Sequence, residues 1–360
     1  MFSTLSHIVS SLSWLPSATF MFACAPQYFL LSLAWRVISL PLPTRTYERG
    51  DEMLYTLYQS MVIFFFENMS SVEFVFYGDE LPEKGENVIY MANHQCTVDW
   101  LIVDSLAIRQ GCIGIIRYIL KDSLKFIPLY GFYFEQHGCI YVKRRATKDQ
   151  VNMIRSLDKI RNNKTPVWMT VFPEGTRYDI TKPQLLEKRQ QYARDQGLPV
   201  LCQLLTPKTK AMQACFKSLA GHYNAVYDVT IAYSSKKGTW KREAAPSMTE
   251  FLAGRCKTVH IHVKRFGCDE IPNDALEQDQ WVHERFREND KLLSEFYSPG
   301  QIQAFGDGRH RPVPSSLTWS SFLFFALSFI PLLGTGPGRM VYVGTTVLGG
   351  IGSCLFMMLR

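Results

Sequence analysis

Residues 88–99 read VIYMANHQCTVD, and this stretch is the best indicator of the fold. Its first five residues form an apolar run of the length and composition of a buried β-strand. A helical pattern follows from about Thr97 to Arg109, so the strand passes into the helix through a short polar loop. That loop carries His94. Asp99 falls in the first helical turn, for which Thr97 is a suitable N-cap.

Strand-like and helical segments continue to alternate to about residue 300. The other strand-like runs are 115–120, 139–142, 167–172, 226–233 and 258–263, and helical patterns cover about 124–136, 148–162, 184–196 and 281–296. Such alternation predicts an α/β fold, with a mixed sheet flanked by helices. Ligands bind at the carboxyl ends of the strands in folds of this kind, and the loop that carries His94 follows such an end.

Composition restricts the class of protein. Hydrophobic residues make up 47% of the 360 residues and the formal net charge is +7. That charge is small for a nucleic-acid-binding protein, and it suits a surface that rests on anionic lipid. The nine cysteines form no CxxC pair. We therefore expect a reducing compartment and buried thiols rather than a disulfide framework or a zinc site.

Both ends of the chain are apolar. No charged residue precedes Arg36, and Pro16 and Pro26 interrupt this first stretch. We predict an uncleaved anchor that spans once, spans twice as a short hairpin, or lies partly immersed, since spanning takes about 20 apolar residues. Residues 317–334 and 340–359 are uncharged and flank the turn 335–339, which predicts a transmembrane hairpin. The predicted division is an anchor (1–80), a catalytic domain (81–300), a linker (301–316) and the hairpin (317–360).

His94 and Asp99 together have the chemistry of a base and its orienting acid. A carboxylate bonded to one imidazole nitrogen fixes the tautomer, so that the other nitrogen accepts a proton near neutral pH. This is half of a Ser-His-Asp triad, but no Gly-x-Ser-x-Gly elbow accompanies it. The attacking hydroxyl is therefore expected on the substrate. The alternative at this spacing is a helix cap beside a surface histidine.

A second motif, FPEGTR at residues 172–177, also follows a strand-like run. Gly175 permits a sharp turn and Arg177 offers a bidentate fork to an anion. The alternative is a tight turn with a surface salt bridge between Glu174 and Arg177. The basic residues Lys121, Arg144 and their neighbours either bring cations to a phosphate or simply begin the next charged segment.

These blocks resemble, in order, the four blocks of the glycerolipid acyltransferase family. They are Asn93-His94-x-x-x-x-Asp99, the strand ending in Lys143-Arg144, residues 172–177, and Leu205-Thr206-Pro207. The resemblance covers about 90–270. Lys143 replaces the acid that is usual in the second of these blocks, while Arg144 is kept. Within the family the chain is most similar to lysophosphatidate acyltransferases of the epsilon type, close to the lysocardiolipin acyltransferases.

The resemblance implies transfer of a fatty acyl group from acyl-CoA to the sn-2 hydroxyl of lysophosphatidate. His94 and Asp99 would be catalytic. The residues that would bind substrate are Glu174, Gly175, Thr176, Arg177, Arg144 and Lys121. No metal is expected, because a thioester is activated enough for base-assisted attack. No cofactor is expected either, since acyl-CoA is a co-substrate. The expected partners are acyl-CoA, a lysophospholipid and the bilayer of the endoplasmic reticulum, with the nuclear envelope and the outer mitochondrial membrane as alternatives, and no nucleic acid.

Three other functions remain open at this stage. The chain could acylate lysocardiolipin or another lysophospholipid, or bind lipid without catalysis. A metal-dependent hydrolase is disfavoured because no cluster of ligands is evident. His260 and His262 share one face of a strand, but no third ligand accompanies them.

Overall fold

The computed structural model describes residues 12–70, 72–143, 146–234, 242–298 and 302–359. The chain forms two compact units, each assembled from separated segments. The first unit takes its residues from Met1–Met69, Asp104–Pro166 and Val313–Arg360, and the second from Ser70–Val103 and Val167–Pro312. The predicted boundaries at residues 80, 300 and 316 remain a prediction.

The strands of the described chain are β1 (Glu73–Gly78), β2 (Val88–Ala92), β3 (Ile116–Lys121), β4 (Ile140–Val142), β5 (Trp168–Val171), β6 (Ala225–Tyr233), β7 (Thr258–Gly267) and β8 (Arg309–His310). The α-helices are Leu15–Ile38, Thr44–Ile63, Asp99–Arg109, Tyr130–Gln136, Ala146–Asn162, Pro183–Asp195, Lys210–Ser218, Met248–Leu252, Ala275–Phe296, Ser315–Gly334, Gly336–Gly344 and Gly350–Leu359. Short 3₁₀ segments are Ile113–Ile115, Asp122–Phe126, Cys268–Glu270 and Ile302–Phe305, and π-helical segments are Phe64–Met69 and Thr345–Gly349.

The second unit is built on a mixed sheet with the strand order β5-β2-β6-β7-β1-β8. Strand β2 pairs in parallel with β5 and β6, and β1 pairs in parallel with β7. The β6–β7 and β1–β8 pairs are antiparallel. Every residue of β2, β5 and β6 is buried, as expected of strands covered on both faces. The predicted fold class is confirmed.

Three parallel strands of this sheet determine where the polar loops meet. Because β5, β2 and β6 run in the same direction, their carboxyl ends lie at one edge of the sheet. Ala92 ends β2, Val171 ends β5 and Tyr233 ends β6. The loops that carry the two motifs therefore start from neighbouring strands.

The first unit contains the parallel pair β3–β4 and the apolar helices. In the described part of the chain, three helical stretches are long and apolar enough to cross a membrane, namely Leu15–Ile38, Ser315–Gly334 and Gly336–Leu359. Their mean hydropathies are 1.3, 1.7 and 1.6. The chain is thus a membrane protein with candidate spans near both ends.

Prolines do not divide the N-terminal stretch. Residues Leu15–Ile38 form one helix, so the interruption expected at Pro26 was wrong. Pro16 lies in the first helical turn, where the missing N–H would have no partner in the helix anyway. Pro26 lies inside the helix. At the other end the predicted hairpin is present, but its turn is shorter than expected, because the Thr335 hydroxyl accepts the Gly338 amide at 3.0 Å and caps the next helix.

Two other sequence predictions needed correction. The helix expected over 124–136 is a 3₁₀ segment followed by a separate helix, because Pro128 intervenes and Leu129 has φ of 66°. The helix expected at 281–296 begins at Ala275, because the Asp274 side chain caps its first amides. Strand β1 was not predicted.

Candidate active site

His94 and Asp99 are in contact at the carboxyl end of β2. The His94 Nδ1 atom lies 2.7 Å from Asp99 Oδ2. Asp99 lies in the first helical turn, as predicted, although the helix begins at Asp99 itself rather than near Thr97, and its side chain is fully buried. The His94 side chain is 22% exposed. The pair therefore has a buried carboxylate and an imidazole that solvent or a ligand can reach.

The Asp99 carboxylate is surrounded by hydrogen-bond donors. Oδ2 also accepts the backbone amides of Gln95 and Cys96, at 2.5 and 2.9 Å. Oδ1 accepts the Tyr233 hydroxyl at 2.6 Å. Burial alone would favour the neutral acid and raise the pKa of Asp99. The hydrogen bond and the coulombic attraction of His94, with the hydrogen bonds from the Tyr233 hydroxyl and the Cys96 amide, instead hold the Asp99 pKa below its ordinary value. Asp99 is therefore an anion at neutral pH.

This anion determines the tautomer of His94. Because Asp99 accepts, His94 Nδ1 carries the proton and Nε2 presents its lone pair. Nε2 has no hydrogen-bond partner among the described residues. The Phe172 ring stacks on the His94 ring, with the two centroids 4.6 Å apart. The backbone of His94 is also held, because its carbonyl accepts the Tyr178 amide at 2.7 Å. The geometry is that of an oriented general base.

Glu174 lies beneath this loop. Its side chain is fully buried, and its two oxygens accept the backbone amides of His94 at 2.7 Å and Leu205 at 2.9 Å. Burial raises the pKa of Glu174 to about 8, while the two amide bonds act in the opposite direction. The alternative of a surface salt bridge between Glu174 and Arg177 is wrong, because the Glu174 side chain is buried. These contacts position the loop that carries His94, and the substrate-binding role of Glu174 stays a prediction.

The turn after Glu174 has the predicted form. Gly175 has φ of 64°, the left-handed region that glycine adopts without steric cost. Thr176 is half-buried and Arg177 is exposed. The Arg177 guanidinium has no ion pair or hydrogen bond within the described part of the chain. It is thus accessible to an anion, and its binding role remains a prediction.

Arg242 is a further charged residue at the site, which the sequence patterns missed. It is 7% exposed, and it donates to Gln95 Oε1 at 2.6 Å and to Gln203 Oε1 at 2.8 Å. Its guanidinium lies 4.0 Å from the Tyr178 ring centroid. Arg242 therefore joins the catalytic loop to the segment near residue 203. A lone arginine beyond a strand end gives no motif by which it could have been found.

The other residues singled out from the sequence are not among the described residues around His94. Lys121 ends β3 in the first unit and is exposed, whereas Arg144 lies outside the described residues. His260 contacts the Tyr77 hydroxyl at 2.8 Å and the Ser234 hydroxyl at 2.9 Å, so both of its nitrogens have protein partners. In the described ranges no three His, Cys, Asp or Glu side chains are grouped so as to hold a metal ion.

The histidine–aspartate pair and the glycine-containing, arginine-bearing turn lie at the strand ends of a mixed sheet, as the motifs of the glycerolipid acyltransferase class would place them. Family models described as acyltransferase and acyltransferase C-terminus match residues 73–234 and 250–327. The chain belongs to the 1-acyl-sn-glycerol-3-phosphate acyltransferase family and is an acyltransferase.

A mouse relative supports this membership over almost the whole chain. The 1-acyl-sn-glycerol-3-phosphate acyltransferase epsilon of Mus musculus is 44% identical, over 99% of this chain and 99% of its own. The predicted resemblance to the epsilon type is confirmed. A probable 1-acyl-sn-glycerol-3-phosphate acyltransferase 5 of Arabidopsis thaliana is 35% identical over 66% of this chain and 61% of its own. The crystal structure of the LPA acyltransferase PlsC of Thermotoga maritima aligns with 81% of this chain and 97% of its own, at 17% identity and a TM-score of 0.49.

Proposed function

We propose that this acyltransferase moves a fatty acyl group from acyl-CoA to the sn-2 hydroxyl of lysophosphatidate, giving phosphatidate. The observation that carries the proposal is the His94 imidazole, whose Nδ1 is bonded to buried Asp99 and whose Nε2 is uncommitted within the described residues. The names of the relatives support lysophosphatidate as the acceptor.

The reaction needs one base and no protein nucleophile. His94 Nε2 takes the proton of the acceptor hydroxyl while its oxygen attacks the thioester carbonyl carbon. The carbon–sulfur bond then breaks, and the departing thiolate takes the proton from His94 to leave as free CoA. Asp99 stabilises the cationic imidazole between these two transfers, because the carboxylate remains bonded to Nδ1.

Arg177 is the proposed binding group for the acceptor phosphate. It is exposed, and the Gly175 turn starts from the residue that holds the His94 amide. A guanidinium fork matches two phosphate oxygens. Thr176, Lys121 and Arg144 remain proposed contributors. The enzyme is proposed to act at the endoplasmic reticulum membrane, with the nuclear envelope and the outer mitochondrial membrane as alternatives. A membrane location suits the substrate, because lysophospholipids partition into bilayers.

The test is an acyl-transfer assay on the purified full-length protein in detergent–lipid micelles. Radiolabelled oleoyl-CoA is offered with lysophosphatidate, lysocardiolipin or lysophosphatidylcholine, and both the lipid product and the free CoA are measured. We expect equal amounts of phosphatidate and CoA, with lysophosphatidate the preferred acceptor. CoA release without lipid product would overturn the transfer reaction, and a preference for lysocardiolipin would replace the proposed acceptor.

Arg177→Ala tests the phosphate contact. We expect the KM for lysophosphatidate to rise about tenfold or more, since a charged hydrogen-bonded contact contributes about 1.5–3 kcal/mol. The KM for oleoyl-CoA should stay within about twofold. Arg194→Ala is the matched control, because Arg194 is another arginine of the second unit and lies in the last turn of the helix Pro183–Asp195. Unchanged acceptor kinetics in Arg177→Ala would remove this role.

A further inference from the structure

A turn in the first unit has the reverse of the usual arrangement of charged and apolar side chains. It covers residues 122–128 and follows β3 directly. Leu124, Phe126 and Ile127 are 36%, 43% and 40% exposed, whereas Lys125 between them is only 8% exposed. In a loop that faces water, the lysine head group is the part that stays solvated. This turn instead directs three large apolar side chains outward.

The inward position of Lys125 is well supported by contacts. Its ammonium lies 3.3 Å from the Asp122 carboxylate and 5.1 Å from the centroid of the Phe126 ring. The Lys125 backbone packs on Gly131, where an added Cβ would come within 1.8 Å of the Lys125 carbonyl oxygen. The Gly131 amide also donates to the Ile127 carbonyl at 2.9 Å. The exposed apolar side chains therefore belong to a turn with a fixed conformation.

The same turn is joined to a candidate membrane span. The Cys354 thiol donates to the Phe126 carbonyl at 3.5 Å, and the Ser353 hydroxyl accepts the Leu129 amide at 2.9 Å. Both residues belong to the span Gly336–Leu359. That span exposes Ile351, Leu355 and Met358 at 57%, 55% and 68%. The outward side chains of residues 124–127 thus extend an apolar surface that already suits lipid.

We propose that residues 122–128 form an additional membrane-inserted segment, with Leu124, Phe126 and Ile127 in the acyl-chain boundary of the bilayer. Seven residues are too few to span, so the segment lies in the interface. Two observations select lipid as the occupant: the continuity of the surface with the span, and the inward position of Lys125. Exposed Lys121, just before the turn, suits the level of anionic headgroups. The inference does not depend on the acyl-transfer reaction.

Photocrosslinking tests this directly in the full-length protein. p-Benzoylphenylalanine replaces Phe126, and the protein is reconstituted into phosphatidylcholine vesicles that contain tritiated phosphatidylcholine. Phe324, 43% exposed in the span Ser315–Gly334, is the positive control. Tyr192, 50% exposed on the helix Pro183–Asp195 of the second unit, is the negative control. We expect lipid labelling at position 126 to be within about twofold of position 324 and several-fold above position 192.

Each other outcome overturns the proposal. Labelling at position 126 that only equals position 192 places the turn outside the bilayer. A crosslink to a second copy of the chain makes the surface a protein interface. Lack of label at both 126 and 324 overturns the proposal together with the assignment of that span. If the Phe126 variant fails to fold, the probe at Leu124 gives the same comparison, and thermal unfolding of each variant monitors folding.

Discussion

Among the described residues, two histidine–aspartate pairs have nearly the same short contact distance, one in each unit. His94 Nδ1 lies 2.7 Å from Asp99 in the second unit, and His137 Nδ1 lies 2.6 Å from Asp51 in the first. The pairs differ at the other ring nitrogen. His137 Nε2 lies 2.9 Å from the Ile116 carbonyl oxygen, whereas His94 Nε2 has no partner among the described residues.

The two histidine side chains also differ in burial. The His137 side chain is fully buried and stacked on Tyr55, with ring centroids 3.8 Å apart, while His94 is 22% exposed. A carbonyl can only accept, so the second nitrogen of His137 is committed to donating. A short His–Asp contact therefore does not make a base, because the other nitrogen must be free to take a proton.

The largest expected effect separates the two histidines. His94→Ala should lower kcat/KM for acyl transfer by about a thousandfold to ten-thousandfold, because the general base is lost. His137→Ala should instead lower the unfolding temperature by several degrees, since it leaves buried Asp51 and the Ile116 carbonyl without their partner. Acyl transfer and thermal unfolding are measured on both proteins.

Two results would erase this distinction between the pairs. One is near-wild-type transfer by His94→Ala. The other is a severe loss of activity in His137→Ala protein that remains folded, because a purely structural pair should leave the activity of folded molecules almost unchanged.

The next effect concerns the two aspartates. Asp99→Asn should lower kcat by about a hundredfold to a thousandfold, because an amide NH₂ cannot replace an oxygen that accepts from His94 and the Gln95 amide. Asp51→Asn should mainly reduce stability. The two variants are compared by kcat and by melting temperature. A kcat of Asp99→Asn within about threefold of wild type would show that the carboxylate does not orient His94.

A smaller effect is expected at the tyrosine beside each pair. Tyr233→Phe removes the 2.6 Å bond to Asp99, and a bond to a charged group contributes about 1.5–3 kcal/mol. We expect kcat to fall about tenfold, with KM nearly unchanged. Tyr55→Phe removes a buried hydroxyl that has no hydrogen-bond partner in the described chain, so it should be neutral or slightly stabilising. Equal kinetics in Tyr233→Phe and wild type would remove Tyr233 from the positioning network.

The smallest effect is a pH dependence of stability at Glu174. Its folded pKa of about 8 is above the ordinary glutamate value of 4.5, so the folded state holds an extra proton between these two values. Stability should therefore decrease as pH rises from about 4.5 to 8. Glu174→Gln removes the titrating group and should flatten this part of the curve. Its NH₂ cannot accept one of the two backbone amides, so the melting temperature should also fall by a similar amount at every pH. Melting curves at pH 5, 6.5 and 8 compare the two proteins, and parallel curves would contradict the assignment.

Local sequence was sufficient to predict the His94–Asp99 pair. The two residues are five positions apart at a strand-to-helix junction, so their approach depends on one loop and one helical turn. Strands β2 to β7 were predicted for the same reason, because an apolar run followed by polar residues is a local signal. Prediction was wrong at Pro26, where the helix Leu15–Ile38 continues through the proline.

Local sequence patterns could not predict the contacts between residues that are far apart in the chain. Tyr233 reaches Asp99 from 134 positions away, and Glu174 joins the amides of His94 and Leu205, 80 and 31 positions away. The motif did not predict that Glu174 is buried and positions the loop that carries His94 through its two amide partners. Such partners depend on which strands are neighbours in the sheet, and a single sequence contains little signal for that order.

The sequence by itself determined the chemical groups and their local spacing: a histidine and an aspartate after one strand, an arginine on a glycine turn after another, and apolar ends suited to lipid. Tertiary structure decided which His–Asp pair keeps a free ring nitrogen. Both pairs consist of the same two residue types, and the difference arises from burial and from the Ile116 carbonyl, which pairing between distant segments brings to His137 alone. Availability of a proton acceptor is a property of the packed surroundings rather than of the residues that form the pair.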